Sequence, residues 1–368
     1  MRSWSDDMPR ADHVGSLLRP PALQAARAAR DDDDIDADAL HAAEDDAIAN
    51  AVRLQKDIGL ASITDGEFRR GYWHYDFLAG LRGIALERIK QDGPLTAGFV
   101  HRHRIKVHGP IGWQPHPFVD DFLKLAASAG PRARQTIPSP SVVHFRLGQQ
   151  ALQSGAYIDL DTLLADLADA YGKAVKAFAD AGCRYLQLDE VNLAMLCDPA
   201  QIAEAGKRGV WRDDLATVYA ELINTIIRDR PPGMRIGMHL CRGNFRSTWI
   251  AQGGYEPIAD LLFNNIDIDT YFMEYDTERA GDFSPLRFLP KGHKVVVLGI
   301  VSSKTGEIED KGTVKRRIEE AARYAPLNQL ALSPQCGFAS TEEGNDLNEA
   351  QQWEKLRLCV STAREIWP

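Results

Sequence analysis

Four side chains that can bind a metal ion lie in three separate segments of the sequence. His239 and Cys241 are in GMHLCRGN, Glu274 is in YFMEYD, and Cys336 is in SPQCGF. In each segment an apolar run gives way to polar residues. One imidazole, one carboxylate and two thiolates form a suitable ligand set for tetrahedral zinc. A site of this kind can bind a substrate thiol as the thiolate and keep it nucleophilic near neutral pH.

The spacing of His239 and Cys241 supports this interpretation. Residues i and i+2 of an extended strand point to the same side, so both side chains can face one end of a barrel. An isolated His-x-Cys pair is also typical of two buried core residues. Because Glu274 and Cys336 end two further apolar runs, we favour a Zn²⁺ site over core packing.

Short apolar runs alternate with longer amphipathic stretches along the chain. The runs predict eight strands, at 11–16, 61–66, 134–139, 184–189, 235–240, 269–274, 294–300 and 328–334. Apolar residues spaced three or four positions apart predict helices at 41–59, 161–182, 212–229, 312–324 and 348–365. This alternation indicates an α/β fold, a (β/α)8 TIM barrel. A doubly wound open sheet is the alternative, but no G-x-G-x-x-G motif opens a helix.

The sequence favours one domain over residues 1–368, because it contains no linker-like segment and no internal repeat. The segment GFVHRHRIKVHGP (98–110) alternates with period 2 and is predicted to form a β-hairpin inserted between the second and third strands. The acidic run that begins at Asp31 is interpreted as a solvated loop and helix start.

Polar residues at the strand ends predict a substrate site, since the active site of a parallel barrel lies at the carboxyl ends of its strands. The candidate substrate-binding residues are Ser16, Glu67, Asp189 and Glu190. The three carboxylates suit an ammonium group, and Gly15-Ser16 suits a carboxylate, so the set would recognise an amino-acid zwitterion. A solvated loop or an ion pair is the alternative for the adjacent acids of strand four.

Two further groups follow strands two and five. Arginines that could bind an anionic tail, or that are ordinary surface charges, are Arg69, Arg70, Arg242 and Arg246. Aromatic residues that could form a shelf for a flat ring, or pack in the core, are Tyr72, Trp73, His74, Tyr75 and Phe77.

Composition excludes several classes of partner. The 368-residue chain has a formal net charge of −9 and no basic stripe, which argues against nucleic acid. No apolar run approaches the roughly 20 residues of a membrane span, and the first residues lack a signal peptide, so we expect a cytoplasmic protein. Five cysteines without an export signal argue against a disulfide framework. The sequence leaves homo-oligomer formation open.

These motifs resemble the cobalamin-independent methionine synthase family, specifically its catalytic barrel. HVGSLLRP, TDGEFRR and LQLDE resemble the family's motifs at strands one, two and four, and the His-x-Cys, Glu and Cys series resembles its zinc ligands in order. The resemblance implies that His239, Cys241, Glu274 and Cys336 hold Zn²⁺. It also implies that Ser16, Glu67 and Asp189 surround homocysteine, which receives a methyl group from a methyltetrahydrofolate. The implied partners are therefore a small-molecule thiol and a methyl donor.

Two features depart from the full-length enzymes of that family. The chain has no room for their additional N-terminal barrel. It also lacks their histidine after strand seven, where GIVSSKTGEIE places Ser302, Ser303 and Lys304. The chain therefore resembles the short, single-barrel members, and the methyl donor and the residue that protonates it are left unassigned.

The sequence favours an S-methyltransferase that acts on homocysteine. One alternative is a zinc-dependent thiol alkyltransferase or C–S lyase of the epoxyalkane:coenzyme M transferase type. Another is a non-catalytic accessory protein that binds a partner's methyl carrier.

Overall fold

The computed structural model describes residues 10–88, 103–153 and 155–367. At its centre is a parallel sheet in which six consecutive strands lie side by side in chain order. A separate antiparallel pair contains β1 (Arg82–Arg88) and β2 (His103–Gly112). The parallel strands are β3 (Gln135–Pro138), β4 (Tyr185–Asp189), β5 (Arg235–Leu240), β6 (Thr270–Glu274), β7 (Val295–Val301) and β8 (Leu330–Pro334).

Two short segments connect β8 back to β3. Ala11 forms a parallel bridge with Leu332, and Ile63 forms one with Ala133. The Ala61 N–H donates to the Ala11 carbonyl at 2.9 Å, so the two segments also contact each other. The α/β prediction is confirmed, and the hydrogen bonds link eight segments in the order expected of a (β/α)8 barrel.

The first two predicted strands, 11–16 and 61–66, are shorter than expected. Their second halves contain Gly15 (φ 148°) and Gly66 (φ 68°), and Glu67 follows at φ 61°. These angles take the backbone out of the extended conformation, which ends pairing after a single bridge.

The strands are buried on both faces, as expected for a parallel sheet covered by helices. Along β7, Val296 and Leu298 belong to the large core shared with the helices, whereas Val295 and Val297 belong to a second cluster with residues such as Phe272. Residues of β5 alternate in the same way. Met238 and Leu240 join the large core, which leaves His239 facing the interior of the ring.

Helices surround this sheet. They are α1 (Pro21–Asp31), α2 (Ala37–Ile58), α3 (Tyr75–Ala79), α4 (Pro117–Ala129), α5 (Ser141–Leu147), α6 (Gln149–Gln153), α7 (Leu160–Asp180), α8 (Val191–Met195), α9 (Pro199–Lys207), α10 (Leu215–Ile227), α11 (Lys311–Ala321) and α12 (Glu349–Ile366). None of the helices in these ranges is both long and apolar enough to span a membrane.

The five predicted helices are present as α2, α7, α10, α11 and α12. Side-chain caps begin α2, α7, α11 and α12, whereas α10 has no such cap. At α2 the Asp36 side chain accepts from the Ala39 N–H, so the acidic run ends in a helix cap as expected. Helices α1, α4 and α9 were not predicted, although each carries proline in its first turn, a recognised start signal.

The inserted hairpin lies between the second and third barrel segments, but its strands differ from the prediction. Residues 98–102 lie outside the described residues, and 103–112 form one strand rather than both. That strand, β2, pairs with β1 in a register that places Ile84 opposite Val107. The alternation in 98–110 therefore identified one strand of the pair and missed its partner at 82–88.

Candidate active site

The four predicted metal ligands converge at the carboxyl ends of the strands. His239 is the penultimate residue of β5 and Cys241 follows the strand. Glu274 ends β6, and Cys336 follows β8 by two residues. One potential ligand atom from each side chain lies within 4.8 Å of the others, and all four residues are buried. Because β5 and β6 are neighbours and β8 lies two strands away, the barrel brings together residues almost 100 positions apart.

The distances within this cluster fit a tetrahedral ion. The two sulfurs, Cys241 Sγ and Cys336 Sγ, are 3.4 Å apart and do not form a disulfide. Cys336 Sγ lies 3.5 Å from His239 Nε2. Tetrahedral zinc with bonds of 2.0–2.3 Å requires ligand atoms roughly 3.3–3.8 Å apart. The residues present therefore suit Zn²⁺ in both chemistry and spacing.

Hydrogen bonds and charge favour the ionised form of one thiol. The hydrogen bond from Cys241 holds the pKa of Cys336 well below its usual range, and the His239 imidazole acts in the same direction, against burial. For the same reason the pKa of Cys241 lies well above its usual range. Burial lowers the pKa of His239, but its contact with Cys336 outweighs burial and raises it overall. The two sulfurs thus share a proton, which a metal ion binding to both of them would displace.

Neighbouring groups fix the orientation of Glu274. Arg279 Nη1 donates to Glu274 Oε2 at 3.1 Å, and Gln335 Nε2 donates to Oε1 at 3.4 Å. The Tyr255 hydroxyl accepts from the Glu274 N–H at 2.9 Å. Burial raises the pKa of Glu274, whereas Arg279 opposes this and favours the carboxylate. Partners of this kind set the position and basicity of metal ligands.

A cleft of about 640 Å³ opens over the cluster. Its lining includes His239, Cys241 and Cys336, and three of the four predicted substrate residues: Ser16, Glu67 and Asp189. The structure thus brings a candidate metal site and a candidate amino-acid site into one cleft.

Glu67 is held rigidly in this cleft. Its Oε1 accepts from Thr136 Oγ1 at 2.9 Å, and its Oε2 lies 3.4 Å from Arg70 Nη1. A Cβ atom on Gly15 would lie 2.9 Å from Glu67 Oε1, so only glycine lets the first segment pass this carboxylate so closely.

Asp189 completes an acidic pair with Glu67. Burial and then the charge of Glu67 raise the pKa of Asp189 to about 7, while Gln187 Nε2 donates to Asp189 Oδ1 at 2.7 Å. Burial also raises the pKa of Glu67. Two buried carboxyl groups that disfavour each other's charge provide a favourable environment for a substrate cation.

Ser16 contacts the loop that carries Cys336. The Phe338 N–H donates to the Ser16 carbonyl at 3.0 Å, and the Ala339 N–H donates to Ser16 Oγ at 3.4 Å. A Cβ on Gly337 would lie 2.0 Å from Ser16 Oγ, so a larger residue there would displace the Ser16 hydroxyl. Because Ser16 lines the cleft and its Oγ accepts the bond from the Ala339 N–H, the hydroxyl can donate to a ligand there.

Comparison with known proteins agrees with this arrangement. The profile of the family described as "Cobalamin-independent synthase, Catalytic domain" matches residues 147–364. The chain belongs to the cobalamin-independent methionine synthase family. It is 45% identical to the uncharacterized protein YxjH of Bacillus subtilis, across 97% of this chain and 94% of that protein.

Solved structures of this family share the fold. A Listeria monocytogenes protein assigned as a vitamin-B12 independent methionine synthase has 41% identity and a TM-score of 0.78, with 98% of each chain covered. A B12-independent methionine synthase from Shewanella, solved with selenomethionine, has 18% identity and a TM-score of 0.70, with 98% of this chain and 97% of that chain covered.

Unlike the other three predicted substrate residues, Glu190 does not line the cleft. Its Oε1 accepts from the N–H groups of Asn192 and Leu193, which makes it the N-cap of α8. Its Oε2 accepts from Ser141 Oγ at 2.5 Å. The structure therefore separates the adjacent acids predicted to act together, because successive residues at a strand end point in different directions.

The four arginines predicted near the mouth do not line the cleft either. Arg69 forms largely buried ion pairs with Glu44 and Asp121. Arg242 is fully buried, with its guanidinium group 4.2 Å from the Tyr255 ring centre. Of the aromatic run, Trp73 lines the cleft. Core packing therefore explains most of that run.

Two cations that sequence reasoning missed or left without a role are near the site. Arg146, at the end of α5, lines the cleft. Lys304, which follows β7, donates to the Thr248 carbonyl at 3.0 Å and to Asn244 Oδ1 at 3.2 Å. It thereby anchors the loop that follows Cys241. The only sequence signal for Arg146 was its position soon after strand three.

Proposed function

We propose that the protein is a zinc-dependent S-methyltransferase that transfers a methyl group to homocysteine and releases methionine. The observation that carries this proposal is the convergence of His239, Cys241, Glu274 and Cys336 within 4.8 Å at the base of a cleft. Membership of the cobalamin-independent methionine synthase family supports the reaction class. The selenomethionine in the Shewanella structure is an analogue of the proposed product.

In the proposed reaction the homocysteine sulfur forms a bond to the methyl carbon while the bond between that carbon and the donor breaks. The electron pair of the broken bond stays with the donor, which then takes up a proton. Zinc, when bound to the four ligands, would lower the pKa of the substrate thiol so that it is ionised near neutral pH. Arg279 and Gln335 would keep Glu274 oriented toward the ion.

The cleft residues would orient the acceptor. Glu67 and Asp189 would bind its ammonium group, and this cation would in turn favour their ionised forms. The Ser16 hydroxyl would donate to its carboxylate. Both polar ends of homocysteine would thus be fixed, which holds the sulfur in position for attack.

Proton delivery to the donor has no assigned residue. Lys304 lies in the appropriate region after β7, but its ammonium group is directed at the Thr248 carbonyl, Asn244 Oδ1 and the Gly243 carbonyl. Its role is therefore to position the loop after Cys241.

The decisive experiment is Cys241→Ser, with zinc content, homocysteine binding and turnover measured on the same preparation. We expect zinc well below one per chain and loss of homocysteine binding. Cys183→Ser is the matched control, because Cys183 is also buried and its thiol donates to the Tyr185 carbonyl at 3.2 Å, a bond that serine can make. Full zinc content and full activity in Cys241→Ser would contradict the proposal.

A thiol alkyltransferase that opens an epoxide with coenzyme M is a second candidate, because Arg146 gives the cleft a cation that a sulfonate could use. Glu67 and Asp189 oppose it, since they would repel an anion. Calorimetry with homocysteine and coenzyme M separates the two: we expect homocysteine to bind more tightly to the zinc-loaded protein.

A further inference from the structure

A glutamine side chain lies fully buried inside the ring of strands, two residues before Asp189. Gln187 is the middle residue of β4, and its neighbours Leu186 and Leu188 belong to the large core, so Gln187 faces the interior of the ring. Such interior positions are usually filled by branched apolar side chains. Among the described residues, no hydrogen-bond partner reaches Gln187 Oε1. Because a buried amide with an unpaired atom costs stability, packing does not explain a glutamine at this position.

The amide nitrogen of Gln187 joins two segments that line the cleft. Nε2 donates to Asp189 Oδ1 at 2.7 Å and to the Val14 carbonyl at 2.7 Å. Both partners are acceptors, so the amide must turn its nitrogen toward them. Val14 and Asp189 line the cleft, whereas Gln187 does not. Gln187 would therefore act on a ligand through these two neighbours.

The course of the first segment explains why the Val14 carbonyl takes a side-chain donor. The segment pairs with β8 near its start and leaves the extended conformation at Gly15, whose φ is 148°. The Gly15 carbonyl accepts from Thr64 Oγ1 at 2.7 Å. Side chains thus hold two successive carbonyls immediately before Ser16. These bonds fix the position from which the Ser16 hydroxyl would contact the carboxylate of the acceptor.

A neighbouring residue holds the second acid of the cleft. Thr136 of β3 is paired with Gln187 in the sheet, so the two side chains face the interior at the same level. Thr136 Oγ1 donates to Glu67 Oε1 at 2.9 Å. A neutral donor below the cleft therefore holds each acid, and Gln187 holds the segment leading to Ser16 as well.

We infer that Gln187 is a positioning residue that fixes the distance between the ammonium and carboxylate sites of the acceptor, so that the cleft selects an α-amino acid. The inference rests on the proposed methyl transfer to homocysteine and adds the basis for the choice of acceptor. Asp189 would bind the ammonium group and Ser16 the carboxylate, and a single carbon atom separates these groups in an α-amino acid. One amide nitrogen bound to both segments keeps that spacing constant.

The test compares homocysteine with its β-amino homologue, 3-amino-5-sulfanylpentanoic acid, in which an additional carbon separates the two polar groups. Calorimetry on the zinc-loaded protein gives both affinities, and zinc content and thermal unfolding are measured on the same preparations. We expect the wild type to prefer homocysteine by about 10-fold or more. Gln187→Met keeps the length of the side chain but removes both hydrogen bonds. It should lower homocysteine affinity about 10-fold and reduce the preference to about threefold, with zinc content unchanged.

Gln329→Met is the matched control. Gln329 is also buried, and its Nε2 donates to the carbonyls of Pro290 at 2.9 Å and Lys294 at 2.8 Å. It directly precedes β8, so it lies at the opposite ends of the strands from the cleft. This variant should lose stability and keep both affinities. A Gln187→Met variant that keeps the preference of the wild type, or a Gln329→Met variant that loses it equally, would overturn the inference.

A second substitution guards against a folding artefact in Gln187→Met. Gln187→Glu keeps the shape of the side chain, and even when protonated its carboxyl group has one donor for two acceptors. The preference for homocysteine should therefore fall in this variant too. Wild-type preference in Gln187→Glu would show that the two bonds do not set the spacing.

A double-mutant cycle tests whether Gln187 acts through Asp189. Asp189→Asn removes the charge that Gln187 orients, so the losses of homocysteine affinity in the two single variants should be less than additive. Fully additive losses would contradict the inference. A wild-type protein that binds zinc but not homocysteine would refute the proposed function and this inference with it. A wild type that binds homocysteine without preferring it to the homologue would refute the inference alone.

Discussion

The metal end of the cleft and the wall formed by α5 differ in how their charged groups are partnered. At the metal end, Glu274 is held by Arg279 and Gln335, and the Gly243 N–H donates to Cys241 Sγ at 3.1 Å. At the wall, no hydrogen bond or ion pair among the described residues reaches the Arg146 guanidinium group, which lies near Tyr75. The side chains of the metal end are thus oriented by their neighbours, whereas no hydrogen bond among the described residues fixes the guanidinium group at the wall. The comparison shows that neighbouring groups fix the candidate metal ligands, whereas the side chain at the wall is held by fewer contacts.

The largest effect is expected from removing a ligand. Cys336→Ser should lose zinc and reduce methyl transfer by about 1000-fold or more, since the loss of a ligand exceeds the 10–100-fold cost of losing a ligand's partner. Zinc analysis and turnover check this, with Cys183→Ser as the control. The fold should survive, because Cys336 lies at the cleft and outside the large core. Zinc retained at one per chain would show that Cys336 is not needed to hold the ion.

An intermediate effect is expected from a partner of a ligand. Arg279→Gln removes the ion pair to Glu274 Oε2 and should weaken zinc binding by about 10–100-fold while leaving the ligand set intact. Competition with a chelator measures the affinity. Arg287→Gln is the matched control, because Arg287 forms its ion pair with Glu256 on the surface. Equal zinc affinity in both variants would mean that Glu274 needs no orienting partner.

A smaller effect is expected at the acceptor site. Gly15→Ala places a methyl group 2.9 Å from Glu67 Oε1 at a backbone angle that favours glycine, so Glu67 must move. We expect homocysteine affinity to fall about 10-fold and stability to fall by about 1–3 kcal/mol, with zinc affinity unchanged. Calorimetry and thermal unfolding measure these quantities. Gly71→Ala is the control, because nothing lies within 4 Å of its added Cβ.

The two regions also differ in how well the sequence predicts them. The four candidate metal ligands lie together because each lies at or just after the end of an apolar run, and the fold brings strand ends together regardless of their separation in sequence. Arg146 lies on a helix after β3, and no local pattern states whether such a residue faces the cleft or solvent. Residue type and strand-end position therefore predict groups on the strands better than groups on the surrounding helices.

Glu190 shows the same limit within a single strand end. The sequence predicts that both acids after β4 bind substrate, but it does not reveal which carboxylate meets competing backbone donors. Only Glu190 is followed by a helix whose first N–H groups need an acceptor, and that helix, α8, is five residues long and was not predicted. A short helix carries too little periodicity to be recognised.

The smallest effect on activity is expected at Glu190, and comparison with Asp189 tests whether the two acids have different roles. Glu190→Gln loses charge at three hydrogen bonds, to Ser141, Asn192 and Leu193, and should reduce stability by about 1–3 kcal/mol. Homocysteine affinity should change little, because Glu190 does not line the cleft. Asp189→Asn should do the reverse: burial already raises the pKa of Asp189 to about 7, so removing its charge costs little stability but removes an acceptor for the substrate ammonium. Thermal unfolding and calorimetry on both variants check the contrast. If Glu190→Gln lost homocysteine binding without losing stability, the two acids would share one role after all, and α5 would have to be positioned by other contacts.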